Sequence, residues 1–191
     1  MFAVCAIALL CLVCVSDSAP LACKDLVQPM RNLDPPQLEG TWALVAGSLK
    51  IIESRSPIEL SDSVRVDFYN STYTQANLFD GQCRYFSSNI LIEGHNYNFK
   101  VGQSATFNGT LYETSCVDCV VLSFNVDAPT YKSMELYLFS KRREVDQKEL
   151  EEFGSQVECL NMPKHSVLDP TKELCPDQAA AAAQGENRTK D

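Results

Sequence analysis

Leu33-Asp34-Pro35-Pro36-Gln37-Leu38-Glu39-Gly40-Thr41-Trp42 is the stretch on which the fold turns. Asp34 suits an N-cap, and Pro35 suits the first helical position, where its fixed φ and missing N–H cost nothing. One short turn of helix is therefore expected. Gly40 releases the chain from that turn, and Trp42, the only tryptophan, stands where a strand begins.

From there outward the chain reads as β. Short runs rich in Val, Tyr, Phe, Thr and Leu cover 41–48, 63–69, 72–78, 83–88, 89–92, 97–101, 105–115, 120–126 and 135–139. Turn residues separate them, among them Asp80-Gly81, Glu93-Gly94-His95-Asn96, Gly102-Gln103 and Asp127-Ala128-Pro129. Merging two of the runs gives about eight strands at the spacing of a barrel or sandwich. A helix follows: Asp146 and Glu149 form a capping-box pattern, and Leu150, Phe153, Val157 and Leu160 recur on one face. Closing such a sheet removes its edges and leaves an interior able to hold one small ligand. Beyond Cys175 the composition shifts to an Ala-rich and polar stretch, read as a disordered tail over 177–191.

The remaining composition narrows the function. Acidic residues outnumber basic ones and the net charge is −9, which excludes a nucleic-acid partner because phosphate binding needs a basic face. With only His95 and His165, neither histidine catalysis nor a zinc site is expected; no metal, no cofactor and no catalytic residue is assigned. Both are expected at the surface, with His95 in a turn near a barrel rim. The acidic run Glu149, Glu151 and Glu152 reads as the solvated face of the helix. The apolar run from Phe2 to Val15, followed by Ser16 and Ser18, reads as a secretory segment over 1–18. No later apolar run matches its length, so no transmembrane segment is expected in the mature chain. Removal takes away Cys5, Cys11 and Cys14 and leaves Cys23, Cys83, Cys116, Cys119, Cys159 and Cys175, an even set that in a secreted chain reads as disulfides. Sequons at Asn70, Asn108 and Asn187 are the expected glycosylation sites.

The 33–42 segment resembles the first signature of the lipocalins, a short helix followed by Gly-x-Trp, in which Gly40 and Trp42 would close one end of the barrel. The resemblance narrows to the α1-acid glycoprotein (orosomucoid) branch. It runs from Ala22-Cys23-Lys24-Asp25-Leu26 through Gly40-Thr41-Trp42 to Phe153, Cys159-Leu160-Asn161-Met162-Pro163-Lys164 and Lys172-Glu173-Leu174-Cys175-Pro176. The chain is also similar to fish tributyltin-binding and saxitoxin- and tetrodotoxin-binding proteins. The likeness implies an all-β fold: an eight-stranded antiparallel up-and-down barrel over 19–176 with a C-terminal α-helix packed on the outside. It implies Cys23–Cys159 and Cys83–Cys175 disulfides. In that family an arginine after the last strand stacks on the tryptophan; here Lys141, Arg142 and Arg143 are the candidates.

Side-chain direction follows from alternation. A glycan on Asn108 must face solvent, which turns Thr106, Thr110 and Tyr112 outward and Ala105, Phe107, Gly109 and Leu111 inward. Leu122, Phe124 and Val126 face inward on the next strand. The resemblance places the ligand-binding positions at Leu44, Phe79, Phe99, Phe124, Tyr137 and Phe139; with Phe107 and Leu111 these form the candidate site. Phe79 and Phe99 stand where the branch has basic residues, so the pocket should be more aromatic and less able to pair an anion. Cys116-Val117-Asp118-Cys119 lies between two strands. A local disulfide is the leading reading, a soft-metal or organotin thiolate site at the barrel rim the alternative, and a thioredoxin-like redox site the third.

The sequence thus predicts a secreted, monomeric, non-enzymatic plasma lipocalin. It would carry a small apolar or amphiphilic ligand, such as an organotin, an alkaloid toxin or a lipid-like molecule. An acute-phase immunomodulatory glycoprotein acting through its outer surface and glycans is the alternative. A lipocalin-type isomerase has no unpaired cysteine to use.

Overall fold

Gly40 adopts φ +114°, a left-handed conformation open to glycine, and turns the chain out of helix α2 (Pro35–Leu38) into β1 (Gly40–Ser54). The structure is a computed structural model that describes residues 22–31, 33 and 35–178. The secretory segment 1–18, the cap at Asp34, Asn187 and nearly all of the tail lie outside the described residues.

After β1 come β2 (Ser63–Tyr69), β3 (Thr72–Phe79), β4 (Gln82–Asn89), β5 (Leu91–Glu93), β6 (Asn96–Val101), β7 (Ala105–Tyr112), β8 (Cys119–Asp127) and β9 (Tyr131–Ser140). Helix α3 (Gln147–Cys159) and the two-residue β10 (Ser166–Val167) follow, and a short helix α1 (Cys23–Leu26) precedes them all. The strands form one antiparallel sheet in the order β4-β3-β2-β1-β9-β8-β7-β6-β5, with β10 paired to β1. From β1 to β4 and from β5 to β9 chain neighbours are sheet neighbours, and β1 also pairs with β9. Ile90 alone separates β4 from β5. They are two halves of one bent strand, the first paired with β3 and the second with β6. Counting them together gives eight strands curled into a nearly closed barrel. Beside β4, where no ladder is formed, the Ser88 hydroxyl donates to the Lys100 carbonyl of β6 at 2.6 Å.

The turns follow their chemistry. Asn70 and Ser71 (φ 47° and 58°) make the β2–β3 hairpin, and Asp80 and Gly81 (φ 46° and 77°) make the β3–β4 hairpin. Both central residues are left-handed in each, as a two-residue turn matching strand twist requires.

Apolar residues collect in two layers. Trp42, Val66, Phe68, Tyr73, Tyr97, Phe99, Leu111, Leu122, Phe124 and Phe139 fill the lower barrel. Ala46, Val121, Leu136 and Leu138 point outward and are covered by Phe153 and Val157 of α3. Leu150 and Leu160 border that second layer, so the expected helical face is the one that packs. The Asp146 carboxylate accepts from the Glu149 amide at 2.8 Å, and the Glu149 carboxylate accepts from the Asp146 amide at 2.7 Å, closing the capping box. Gln156, 1% exposed, donates from Nε2 to the Leu26 and Glu113 carbonyls and ties the N-terminal arm to helix and barrel.

Three disulfides are formed: Cys23–Cys159 joins the arm to α3, Cys83–Cys175 joins the C-terminal segment to β4, and Cys116–Cys119 closes the β7–β8 connection. No helix among the described residues is long and apolar enough to cross a membrane.

The strand readings differ from the structure mainly at their ends. β1 runs six residues past position 48 and β9 begins four before 135, because the two pair with each other beyond the barrel body. β7 stops at Tyr112, leaving residues 113–118 as a six-residue connection wide enough for the bonded cysteines. The position of that connection is a correction. The β7–β8 turn lies at the same end as Trp42, the closed end, where the arm crosses (the Met30 amide donates to the Leu111 carbonyl at 2.9 Å). His95, in the β5–β6 turn, lies there too, its carbonyl accepting from the Leu111 amide at 2.8 Å. Neither the cysteine pair nor His95 is at the open rim, because an up-and-down chain sends alternate turns to opposite ends.

Candidate functional site

A single displaced residue in β1 shapes the barrel interior. The β1–β9 register shifts between Leu44 and Ala46, a bulge that leaves Trp42 and Leu44 facing inward but moves the next inward positions to Gly47 and Leu49. Opposite Gly47 stands Tyr137. A Cβ at position 47 would lie 2.6 Å from the Tyr137 ring, so only glycine lets the ring lie against β1.

Above the packed aromatics the barrel keeps a cavity of about 690 Å³. The strands contribute Leu44, Gly47, Leu49, Val64, Gln75, Asn77, Phe86, Phe107, Tyr131, Glu135, Tyr137 and Phe139. Residues 58–62, in the loop after β1, and parts of 164–172, around β10, complete the wall at the mouth. The volume is that of an ordinary small-molecule site. A run of rings lies beneath it and reaches its wall at Phe107 and Tyr137. Phe99 and Phe107 stack at 4.9 Å with 4° between planes, Tyr73 stacks on Phe99 at 4.7 Å, and Phe124 meets Tyr137 at 5.5 Å.

Of the eight candidate ligand residues, Leu44, Phe107, Tyr137 and Phe139 line this cavity. Phe99, Leu111 and Phe124 are 1–4% exposed in the packed layer and form no part of the cavity wall. Phe79, the last residue of β3, forms no part of the cavity wall; the Arg84 guanidinium lies 4.4 Å above its ring. Asn108 is exposed while Gly109 and Leu111 are buried, the alternation expected of β7. Asn70 is exposed in its hairpin.

Glu135 is the one charged side chain that the barrel strands place in the cavity wall, among the described residues. The Ser133 hydroxyl donates to it at 2.6 Å, and Tyr137 is a second hydrogen-bond partner. Burial pushes its carboxyl above the usual carboxylate range, and these two hydrogen bonds pull against that shift. Burial likewise holds the hydroxyls of Tyr73, Tyr97, Tyr131 and Tyr137 protonated well beyond neutral pH. Sequence reasoning passed over Glu135, although alternation from Tyr137 and Phe139 along β9 sends it inward. Gln75, Asn77 and Phe86 were missed for want of any local signal.

At the closed end Trp42 donates from Nε1 to the Leu38 carbonyl at 2.7 Å, and Lys141 lies over its ring. Solved structures share this architecture. The solution NMR structure of lipocalin 12 from rat epididymis matches with a TM-score of 0.63 at 15% identity, over 78% of this chain and 93% of that one. This is a lipocalin fold. No family model and no curated protein matches the sequence, so the likeness lies in the fold: barrel, flanking helix and a cavity open at one end. In lipocalin terms, Glu135 sits in the wall of the calyx.

The cysteine connection belongs to the opposite end of the barrel. Arg142 pairs with Asp118 at 2.7 Å and with Glu149 at 2.8 Å, and its guanidinium lies 3.2 Å from Cys116 Sγ. With Cys116 and Cys119 bonded to each other, the Cys116–Asp118–Cys119 group offers no thiolate to a metal.

Proposed function

We propose that this protein is a secreted carrier that binds a small apolar or amphiphilic molecule in its calyx. The carrying observation is the cavity of about 690 Å³ walled by aromatic and aliphatic side chains, set in a fold whose members generally hold small hydrophobic ligands. Capture needs no chemistry: the cavity stands preformed, and burial of apolar ligand surface supplies the affinity. Secretion rests on the apolar segment at 1–18 and agrees with three disulfides. An organotin, an alkaloid toxin or a lipid-like guest all suit such walls.

Native mass spectrometry of protein secreted from cultured cells, incubated with apolar probes, tests the reading. A saturable one-to-one adduct is expected, with quenching of tyrosine or Trp42 emission in parallel. A chain that takes up no apolar or amphiphilic guest overturns it.

A further inference from the structure

Residues 55–62, the span between β1 and β2, border the mouth of the calyx and are tied down at both ends. At one end the Arg55 amide donates to the Thr130 carbonyl at 2.9 Å. At the other the Asp62 amide donates to the Leu78 carbonyl at 2.8 Å, and the Asp62 carboxylate accepts from the Asp80 amide at 3.0 Å. Between these anchors no backbone hydrogen bond joins residues 56–61 to another element, among the described residues. Packing does not hold the span either: Leu60 borders the cavity and is still 75% exposed. The remaining tie is Glu59, whose carboxylate accepts from Arg84 Nη1 at 2.9 Å. Arg84 is a fixed post for it. On β4 Cys83 is bonded to Cys175 and the Tyr85 hydroxyl donates to the Pro176 carbonyl, so both reach the C-terminal segment. Alternation turns Arg84 and Phe86 to the opposite face, where Phe86 joins the cavity wall and Arg84 stands across from Asn77 of β3. The Phe79 ring beneath the guanidinium holds it at that rim.

We propose that residues 55–62 form a lid latched by the Glu59–Arg84 ion pair, and that opening of this latch sets how fast a guest enters and leaves the calyx. The claim rests on the carrier reading above and adds its regulation, whatever the guest. The pair joins the span to β4, two elements that β2 and β3 separate in the sheet. Both side chains are more than half exposed, so water competes for the bond and salt screens it. That weakness suits a latch, because the pair can break while the anchors at Arg55 and Asp62 and the barrel ladders stay in place. A latch that closes over the filled and the empty calyx alike changes entry and exit by the same factor and leaves the affinity where it was.

The test is stopped-flow mixing with the neutral fluorescent probe N-phenyl-1-naphthylamine, in which the slope against protein concentration gives the entry rate and the intercept the exit rate. Glu59→Gln should raise both rates about two- to fivefold, the range that exposed ion pairs supply, with Kd unchanged. Arg84→Gln should do the same, and the double variant should add nothing further. Raising NaCl from about 0.05 M to about 1 M should speed the wild type by a similar factor and leave E59Q unmoved. The exchanged pair, Glu59→Arg with Arg84→Glu, should restore slow exchange, which decides the matter even if Arg84→Gln disturbs Phe79. Rates in E59Q equal to those of wild type overturn the latch and leave the carrier reading standing. So does an altered affinity with an unaltered entry rate, which would make Glu59 a guest contact. A wild-type chain that binds no probe overturns the carrier reading, and the latch with it.

Discussion

The Lys141 ammonium lies 4.8 Å from the centre of the Trp42 ring. Of the three basic residues that follow β9, this is the one that stacks. Arg142 turns to Asp118 and Glu149, and Arg143 donates to the Lys172 carbonyl at 2.6 Å. The lysine caps the closed end of the barrel, where Trp42 is 4% exposed. Removing it with Lys141→Ala should cost about 0.5–1 kcal/mol, since the ammonium itself is exposed. Trp42→Ala should cost about 3–5 kcal/mol by opening the barrel floor. Urea unfolding followed by tyrosine emission compares the two, and an equal loss in both would show that Lys141 does more than cover the ring.

Gly47→Ala should reach the cavity through its neighbour. The new Cβ would lie 2.6 Å from the Tyr137 ring, so the ring must swing away from β1 into the calyx. We expect weaker binding of N-phenyl-1-naphthylamine with a stability loss of about 1–3 kcal/mol, the usual range for overpacking. Unchanged probe affinity would mean that Tyr137 has room to move elsewhere.

Glu135 should also be visible in the pH dependence of stability. Burial raises its folded-state pKa above the unfolded value, so the folded chain holds this proton more tightly. Its contribution is fully present below the unfolded pKa and is lost as pH rises through the folded one. The tyrosines around it, Tyr73, Tyr97, Tyr131 and Tyr137, are held neutral at these pH values by burial and do not titrate in the same window. Wild-type Tm, measured against E135Q by differential scanning calorimetry, should therefore rise as pH falls from about 7 toward the ordinary glutamate value of about 4.3. Parallel curves for the two proteins would remove Glu135 as the source.

Alternation along β7 and β8 was legible because the sequon at Asn108 gives β7 a position that must face outward. Asn108 in its sequon and Asn125 beside Phe124 are exposed, and Leu111 and Leu122 are buried partners across the β7–β8 ladder. The helix was legible from its capping box. The β1 bulge was not: periodicity carries no sign of an inserted residue, so the inward positions Gly47 and Leu49 lie one step out of phase with Leu44. Glu135 was legible and was missed, since reading it inward runs against the expectation that charge faces water. The end of the barrel on which a turn falls follows from strand count alone, and that count places Cys116–Cys119 and His95 beside Trp42.

Asn108 should carry a glycan in protein secreted from cells that glycosylate. It is exposed on β7 and pairs across the ladder with the equally exposed Asn125. Mapping after enzymatic deglycosylation should find aspartate at position 108. An unmodified asparagine there would remove the premise from which the β7 alternation was reasoned. Gly109 checks that alternation independently: a Cβ there would fall on the Ser123 carbonyl oxygen and 2.7 Å from Tyr97 Oη. Gly109→Ala should therefore destabilise the barrel whether or not the glycan is present.

Cys116–Cys119 should act on stability and leave ligand binding alone. The pair closes a separation of three residues, against 92 for Cys83–Cys175. In the chain-entropy model such a short loop is worth about 2 kcal/mol and the long one about 4–5 kcal/mol. The local bond also lies under α3, in the layer with Phe153 and Val157, at the end of the barrel opposite the calyx mouth. We therefore expect the double variant Cys116→Ser, Cys119→Ser to lower the urea midpoint less than Cys83→Ser, Cys175→Ser. Probe affinity at the calyx should not change. Non-reducing peptide mapping of the mature protein should show the two cysteines bonded to each other, with no free thiol. Two titratable thiols per chain, lost on adding an organotin, would instead make this connection a soft-metal site. Arg142, 3.2 Å from Cys116 Sγ, would then be the neighbouring charge that favours the thiolate.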